Sequence, residues 1–284
     1  MTGFLSRVPL RWVDLDAQGH VNNAVVLDYL QEARVQFLLA GENAHLLGNA
    51  LVVTGHQVEF RRPVRFSVDP VEVRLVVGRV GAATLDLGYD VHHGGELVAR
   101  ARTSLAKVRA GGPVRFTPAE RAWFAAGQQE LPPLRELGEW QVGDAAHEDE
   151  FQVRWSDLDP YRHVNNVRVF DYVAEARNRL NPGGGPTRME LAAQADTTWM
   201  VARQDVSYRA ETLHRLEPYR VRTAYAAVGR TSMTLVAQLE DPLDGRVLAR
   251  TLTVLVHGDA GGSPIPVPED AHRGLALWPA RRSA

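Results

Sequence analysis

A segment of 24 residues occurs twice in this chain of 284 residues. Residues 11–34 read RWVDLDAQGHVNNAVVLDYLQEAR, and residues 154–177 read RWSDLDPYRHVNNVRVFDYVAEAR, 143 positions later. A shared fold is enough to explain the similar pattern of apolar residues in the two copies, because apolar residues of similar size replace one another readily in a core. The polar residues also recur as the same residue types, and they include two aspartates, one histidine and two asparagines in each copy. We therefore interpret the segment as part of a duplicated domain whose polar residues carry chemistry.

The composition is that of a soluble globular protein of about two domains. Hydrophobic residues make up 45% of the chain and charged residues 23%. The formal net charge of -2 offers no basic surface for nucleic acid, so no nucleic acid partner is expected. Cysteine is absent, which excludes disulfides, thiolate metal sites and a cysteine nucleophile.

The N-terminus and the hydropathy pattern predict a cytoplasmic protein without a membrane partner. The first ten residues, MTGFLSRVPL, lack the long apolar region of a signal peptide. No apolar run approaches the roughly 18 residues that cross a bilayer.

Each copy begins with a predicted strand and continues into a predicted helix. Alternating apolar residues indicate the strand. They are Val8, Leu10 and Trp12 in the first copy and Phe151, Val153 and Trp155 in the second. After a polar turn, apolar residues recur at spacings of three and four, which predicts one helix per copy. They are Val26, Leu30, Ala33 and Phe37, and Val169, Val173, Ala176 and Leu180.

Four further strands are predicted after each helix. They span residues 50–61, 71–80, 83–92 and 96–109, and residues 199–210, 218–228, 231–241 and 246–257. The fold class is therefore α+β, and each unit is a long helix wrapped by an antiparallel sheet of about five strands, the hotdog arrangement. A single unit would expose a sheet edge. We expect the two sheets to join edge to edge as an internal pseudo-dimer, and a further homodimer stays open.

The predicted domains are residues 1–110 and 150–258, with a connector at 111–149 and a C-terminal tail at 259–284. Thr117, Pro118 and Glu120 form a capping box that predicts a short helix in the connector. We favour a packed connector over a lid. The proline-rich tail is interpreted as irregular and receives no chemical role.

The polar residues of the repeat stand directly before the predicted helix. Asp14 and Asp16 follow the strand, and the helix should begin at Asn22 or Asn23, since asparagine is a favoured helix cap. The first N–H groups of a helix have no internal partner and can stabilise an oxyanion. A carboxylate nearby could deprotonate water or attack directly. Asp157, Asp159, Asn165 and Asn166 repeat this layout.

The motif D-x-D-x-x-G-H-V-N-N, followed by a helix ending in E-A-R, resembles the acyl-CoA thioesterase family of the hotdog fold, which includes 4-hydroxybenzoyl-CoA thioesterase. The second copy is also similar to the plant acyl-acyl carrier protein thioesterases. The resemblance implies hydrolysis of acyl-CoA or acyl-carrier-protein thioesters and a role in fatty acid metabolism. It implies no metal and no cofactor beyond the coenzyme A of the substrate.

The resemblance also implies roles for individual residues. It gives catalytic roles to Asp16, Asp159, His20 and His163, and oxyanion or substrate-binding roles to Asn23, Asn166 and Gln18. Whether the aspartate acts as base or nucleophile stays open. In the second copy Tyr161 replaces Gln18 and Arg162 replaces Gly19. We expect the first site to be the more active, because arginine does not easily take the backbone conformation that glycine allows.

Other polar residues receive structural interpretations. Asp14 and Asp157 are expected to be anchors neutralised by a nearby arginine, because two ionised carboxylates in one small site repel. Arg11 and Arg154, or Arg34 and Arg177, are available. Glu32 and Glu175 are expected in surface ion pairs with arginine. Arginines at strand ends could bind phosphate, but we interpret them as exposed and leave them out of the site; they are Arg61, Arg62, Arg65 and Arg209.

Two alternative functions remain. A hotdog acyl-CoA hydratase or dehydratase would pair aspartate and histidine at a different spacing, and a non-catalytic acyl-CoA sensor would not need both side chains in both copies. The acyl chain, and the choice between coenzyme A and carrier protein, stay open.

Overall fold

The protein is described here by a computed structural model that covers residues 3–47, 50–109, 112–183 and 197–283. It consists of two compact units, Met1–Leu134 and Arg135–Ala284. Their boundary falls inside the predicted connector. The predicted boundary between residues 110 and 111 lies outside the described residues.

Among its described residues, the first unit has an antiparallel sheet of five main strands and two helices. The strand order is β1-β3-β4-β5-β2, and a short strand β6 pairs with β5. The strands are β1 Phe4–Val8, β2 Leu51–Phe60, β3 Val71–Val80, β4 Thr84–His93, β5 Glu96–Arg109 and β6 Gly112–Pro113, and the helices are α1 Asn23–Leu39 and α2 Pro118–Ala126.

The second unit repeats this architecture. Its main strands follow the order β9-β12-β11-β10-β8, and two short strands, β7 and β13, pair with each other. The strands are β7 Trp140–Gln141, β8 His147–Phe151, β9 Thr197–Tyr208, β10 Tyr219–Val228, β11 Ser232–Glu240, β12 Val247–Asp259 and β13 Arg281–Arg282, and the helices are α3 Arg168–Asn178 and α4 Glu269–Leu277.

The core of the first unit lies between α1 and the sheet, as the spacing of apolar residues predicts. Leu30 and Ala33 are fully buried on α1, which contacts β1 and β3. The ring of Phe37 packs on Phe4 and on Trp123 of α2, with centroids 5.7 and 4.8 Å apart. Helix α2 therefore belongs to the core of this unit.

The corresponding helix of the second unit buries the same stripe. Val169, Val173 and Ala176 are buried on α3, which contacts β8 and β10. The core continues through Leu180 and Tyr225 to α4. Because burial of apolar surface drives folding, each helix is held by its own sheet.

The predicted first strands are placed wrongly at their C-terminal ends. Strand β1 ends at Val8 and β8 at Phe151, and the residues that follow fold into single turns of 3-10 helix at Trp12–Asp14 and Trp155–Asp157. The turn forms because the Asp14 carboxylate accepts a hydrogen bond from the Arg11 N–H at 2.9 Å. The Trp12 side chain consequently points to solvent and is 75% exposed.

The interpretation of the C-terminal tail as irregular is also wrong, since it contains α4. After α4 the Ala280 N–H donates to the Tyr225 carbonyl at 2.8 Å, and after α2 the Gln129 N–H donates to the Val77 carbonyl at the same distance. Both units therefore close with a helix and an extended segment that pairs with the sheet. Within the described residues, no helix is long and apolar enough to span a membrane.

Candidate active site

The candidate site of the first unit is a tight hairpin loop between the 3-10 turn and α1. Leu15 and Val21 form an antiparallel bridge. Above it the Asp16 N–H donates to the His20 carbonyl at 2.7 Å, and the Gly19 N–H donates to the Asp16 carbonyl at 3.0 Å. The loop thus brings Asp16 and His20, two of the predicted catalytic residues, to opposite sides of one short hairpin.

The Asp16 carboxylate is held by the backbone of its own loop. Its Oδ1 accepts hydrogen bonds from the N–H groups of Gln18 at 2.9 Å and His20 at 3.2 Å. Within the described residues Oδ2 makes no hydrogen bond. Aspartate commonly closes turns in this way, so Oδ1 serves the loop, and Oδ2 is the oxygen available for chemistry.

Gln18 contacts the candidate catalytic carboxylate through its backbone, whereas the predicted substrate-binding role concerns its side chain. The backbone N–H of Gln18 holds Asp16, while the residue is exposed. Tyr161 N–H does the same for Asp159 at 2.9 Å. The replacement of glutamine by tyrosine therefore leaves this contact unchanged.

Asp14 anchors the loop from below, which confirms its structural interpretation. Its carboxylate accepts hydrogen bonds from the Arg11 Nε at 2.9 Å and from the Tyr29 hydroxyl at 2.7 Å. Burial opposes the charge of Asp14, but these bonds and the Arg11 N–H outweigh it and lower its pKa. Burial and the bond to Asp14 raise the pKa of Tyr29, which stays protonated as a donor. In the second unit Asp157 accepts from Tyr172 at 2.7 Å.

The helix begins at the predicted position in the first unit. The Asn22 side chain accepts a hydrogen bond from the Ala24 N–H at 3.0 Å, so Asn22 is the cap and Asn23 the first helical residue. This geometry agrees with the preference of asparagine for helix caps. It places the Asn23 N–H at the positive end of α1.

The helix of the second unit begins later than predicted, at Arg168 instead of Asn165 or Asn166. The Arg168 N–H donates to the Asn165 carbonyl and the Val169 N–H to the Asn166 carbonyl, so the segment before α3 is a turn. The Tyr208 hydroxyl also donates to the Asn166 carbonyl, at 2.7 Å.

The hairpin itself is the same in the second unit despite Arg162. The Asp159 N–H donates to the His163 carbonyl at 2.8 Å, and Asp159 Oδ1 accepts from the His163 N–H at 3.3 Å. Arg162 adopts φ 68° where Gly19 has φ 73°. Arg162 thus takes the conformation that is less favourable for arginine than for glycine, and the replacement does not change the path of the backbone.

Glu32 has an amide partner instead of the expected arginine, because its carboxylate accepts a hydrogen bond from the Gln36 amide at 2.7 Å.

No group of three or more histidine, cysteine, aspartate or glutamate side chains in the described part of the chain could hold a metal ion.

Sequence reasoning missed two exposed aromatic contacts beside the loops. Trp12 meets Phe66 edge to face at 5.7 Å, and Trp155 meets His214 at 5.4 Å. The repeated tryptophan was visible in the sequence, but strand periodicity assigned it to a sheet face. Its partners could not be found from sequence, because they stand far along the chain.

Comparison with known proteins decides the family. The model of the thioesterase-like superfamily matches residues 10–124 and 153–275, so it covers both units. The chain belongs to the thioesterase-like superfamily. Membership of this superfamily supports thioester hydrolase activity. A comparison with curated proteins finds no match.

Solved structures share the tandem hotdog fold of this superfamily member. A Lactobacillus plantarum protein assigned as an oleoyl thioesterase has a TM-score of 0.71 at 15% identity, and the alignment covers 94% of this chain and 97% of that one. A 12:0-ACP thioesterase from Umbellularia californica has a TM-score of 0.68 at 18% identity, with 89% and 93% covered. An acyl-ACP thioesterase from Bacteroides thetaiotaomicron has a TM-score of 0.68 at 15% identity, with 88% and 96% covered. The predicted tandem hotdog fold is thus confirmed.

Proposed function

We propose that this chain hydrolyses thioesters of coenzyme A or of an acyl carrier protein to a free acid and a thiol. The observation that carries the proposal is the hairpin loop that stands in both units directly before the helix, with an aspartate and a histidine joined across it. The names of the similar thioesterases, which act on acyl-ACP or oleoyl thioesters, support the same substrate class.

The chemistry assigned to the first loop follows from its groups. The Asn23 N–H at the start of α1 would polarise the thioester carbonyl and stabilise the oxyanion. Asp16 Oδ2 would either take a proton from the attacking water or attack the carbonyl carbon itself. In the first route water adds to the carbonyl carbon and the C–S bond breaks. In the second route Asp16 forms a mixed anhydride with the acyl group as the C–S bond breaks and the thiolate leaves, and water then cleaves the anhydride to restore the carboxylate. In either route the departing thiolate takes up a proton, and His20 is the group placed to deliver it.

The second unit offers the same carboxylate and imidazole in Asp159 and His163. Its helix begins two residues beyond Asn166, so the oxyanion donor is the less well preserved part. We propose that both loops hydrolyse thioesters and that the first is faster.

Replacing both carboxylates tests the proposal. Asp16→Asn combined with Asp159→Asn should lower thiol release from an acyl-CoA by about 10²- to 10³-fold or more, since each site loses its base or nucleophile. Released thiol can be followed with a disulfide dye, because the chain contains no cysteine to react with it.

Asp69→Asn combined with Glu217→Gln is the matched control. It removes one exposed carboxylate from each unit outside the loops and should leave the rate unchanged. Parent-like thiol release by the Asp16 and Asp159 double variant would show that other groups carry the reaction.

A further inference from the structure

A second segment of each unit runs beside the candidate loop. In the first unit His20 forms an antiparallel bridge with Arg65, and the Val21 N–H donates to the Val64 carbonyl at 2.8 Å. In the second unit His163 forms the same bridge with Leu213. Arg65 and Leu213 are therefore structural counterparts.

The bridge determines where these two side chains project. Residues directly opposite each other in an antiparallel pair extend to the same face, with Cβ atoms about 5 Å apart. The Arg65 guanidinium thus extends from the face of the loop that carries the His20 side chain. Leu213 takes the same position beside His163.

The positive charge of Arg65 is not compensated by neighbours. Arg65 is exposed, and its guanidinium makes no hydrogen bond or ion pair with any described residue. The nearby arginines do have partners, because Arg61 pairs with Glu59 and Arg62 with Glu96, each at 3.4 Å. Arg65 is thus the arginine of this segment that can accept an anionic ligand without first breaking an ion pair.

The second unit has the opposite character at this place. Leu213 is apolar and 49% exposed. Glu211 lies with its carboxylate 3.4 Å from the His163 Nε2, at the position that Pro63 occupies in the first unit. An anionic group near this loop would meet a carboxylate instead of a guanidinium. Arg162 adds a positive charge to the turn.

We propose that Arg65 determines the specificity of the first unit by receiving an oxyanion group of the thioester substrate. The group is either a phosphate of a phosphopantetheine carrier or a carboxylate on the acyl chain, and Arg pairs well with both. The second unit, with Leu213 and Glu211, takes thioesters without such a group. This proposal rests on the proposed function.

The test compares anionic with neutral thioesters. One acyl group is presented as the N-acetylcysteamine thioester, as acyl-CoA and as acyl carrier protein, and a fourth substrate is an ω-carboxyacyl N-acetylcysteamine thioester. Arg65→Leu should lower the ratio of kcat/KM for the anionic over the neutral thioester by about 10- to 100-fold, the loss expected for one charge-assisted hydrogen bond. The substrate whose ratio falls identifies the source of the anion.

Several variants keep this test independent of folding. Arg65→Lys should retain most of the preference, and Arg62→Leu, which removes a paired arginine, should retain all of it. Added salt should lower the ratio in the parent and change it little in Arg65→Leu, because an exposed charge is screened. Asp16→Asn disables the first site, so the ratio in this background reports on the second unit. Adding Leu213→Arg and Glu211→Gln should raise the ratio of anionic over neutral thioester. Adding Arg162→Gly instead should not lower it.

An unchanged ratio in Arg65→Leu, or an equal fall in Arg62→Leu, would overturn the proposal. Failure of the proposed function would look different, because the double variant of Asp16 and Asp159 would then still hydrolyse the neutral thioester. The ratio is measured only in chains that turn over the neutral substrate, so the two failures are distinguishable.

Discussion

At the residue scale, the two loops show how one backbone conformation tolerates two residue types. Gly19 and Arg162 both have positive φ, and Arg162 is the only non-glycine residue with this property in the described ranges. The left-handed region costs a residue with a Cβ about 1–2 kcal/mol. The second loop therefore carries strain that the first does not, and hydrogen bonds to Asp159 offset it.

Relieving this strain should stabilise the second unit. We expect Arg162→Gly to raise the free energy of unfolding by about 0.5–1 kcal/mol, because the gain in φ freedom exceeds the greater entropy of glycine in the unfolded chain. Gly19→Ala should lower it by about 1 kcal/mol. A Cβ at Gly19 would meet nothing within 4 Å, so only the backbone conformation is tested. Urea unfolding measures both, and a less stable Arg162→Gly variant would show that the arginine side chain contributes contacts.

At the element scale, a buried ion pair joins α2 to its sheet in addition to the apolar packing of the helix. Lys107, the only lysine of the chain, donates to Glu120 of α2 at 2.6 and 2.9 Å, and both residues are buried. Thr117 and Glu120 form the predicted capping box. Burial opposes ionisation of Glu120, but hydrogen bonds from Lys107, His45 and the Thr117 N–H outweigh it and lower its pKa from 4.5 to about 2.

Removing one partner of this pair should cost more than removing both. Glu120→Leu leaves the Lys107 charge buried alone, and we expect a loss of about 3–5 kcal/mol of unfolding free energy. Lys107→Met combined with Glu120→Leu should cost clearly less, since neither charge remains. Thermal unfolding of the Glu120→Leu variant and of the double variant provides the comparison. If the double variant loses as much as the single one, packing of α2 and not the ion pair holds it.

The same pair sets a pH dependence at the acid end. Because the pKa of Glu120 is lowered on folding, its contribution is complete above the unfolded value near 4.5 and disappears as the pH falls through about 2. Unfolding followed between pH 6 and pH 2 should therefore show a steeper loss in the parent than in the double variant. Equal slopes would contradict this assignment.

At the scale of the whole molecule, duplication has preserved the loops and changed their neighbours. Both units keep the aspartate, the histidine and the hairpin. They differ in the helix start and in the segment beside the loop, where Arg65 stands opposite His20 and Leu213 opposite His163. A duplicated enzyme of this kind can divide its substrates between two sites.

Single variants should reveal this division. With an acyl-CoA substrate, Asp16→Asn should remove most of the parent rate and Asp159→Asn a minor part, because the first loop retains the regular helix start and the uncompensated arginine. The rates of thiol release by both single variants and by the double variant provide the comparison. Equal losses in the single variants would contradict the asymmetry.

The sequence by itself determined the duplication, the α+β element order and the loops that carry the polar residues shared by both copies. These features are local, since periodicity and capping residues act over a few neighbours. The sequence also contains a signal for α4, because Glu269 and Asp270 in the first turn after Pro268 are typical of a helix start. The prolines that precede this helix favour irregular structure instead; they are Pro264, Pro266 and Pro268.

Only the tertiary structure decided which residues stand beside the loops. Hydrogen bonds between distant segments bring Arg65 to His20 and Glu211 to His163, and no periodicity in either segment reports this pairing. The exposure of Trp12 was likewise decided by the Asp14 contacts that end the strand early. Polar residues that are close in sequence predict the turn that they form themselves. The charge around a site depends instead on which distant segments the fold brings together.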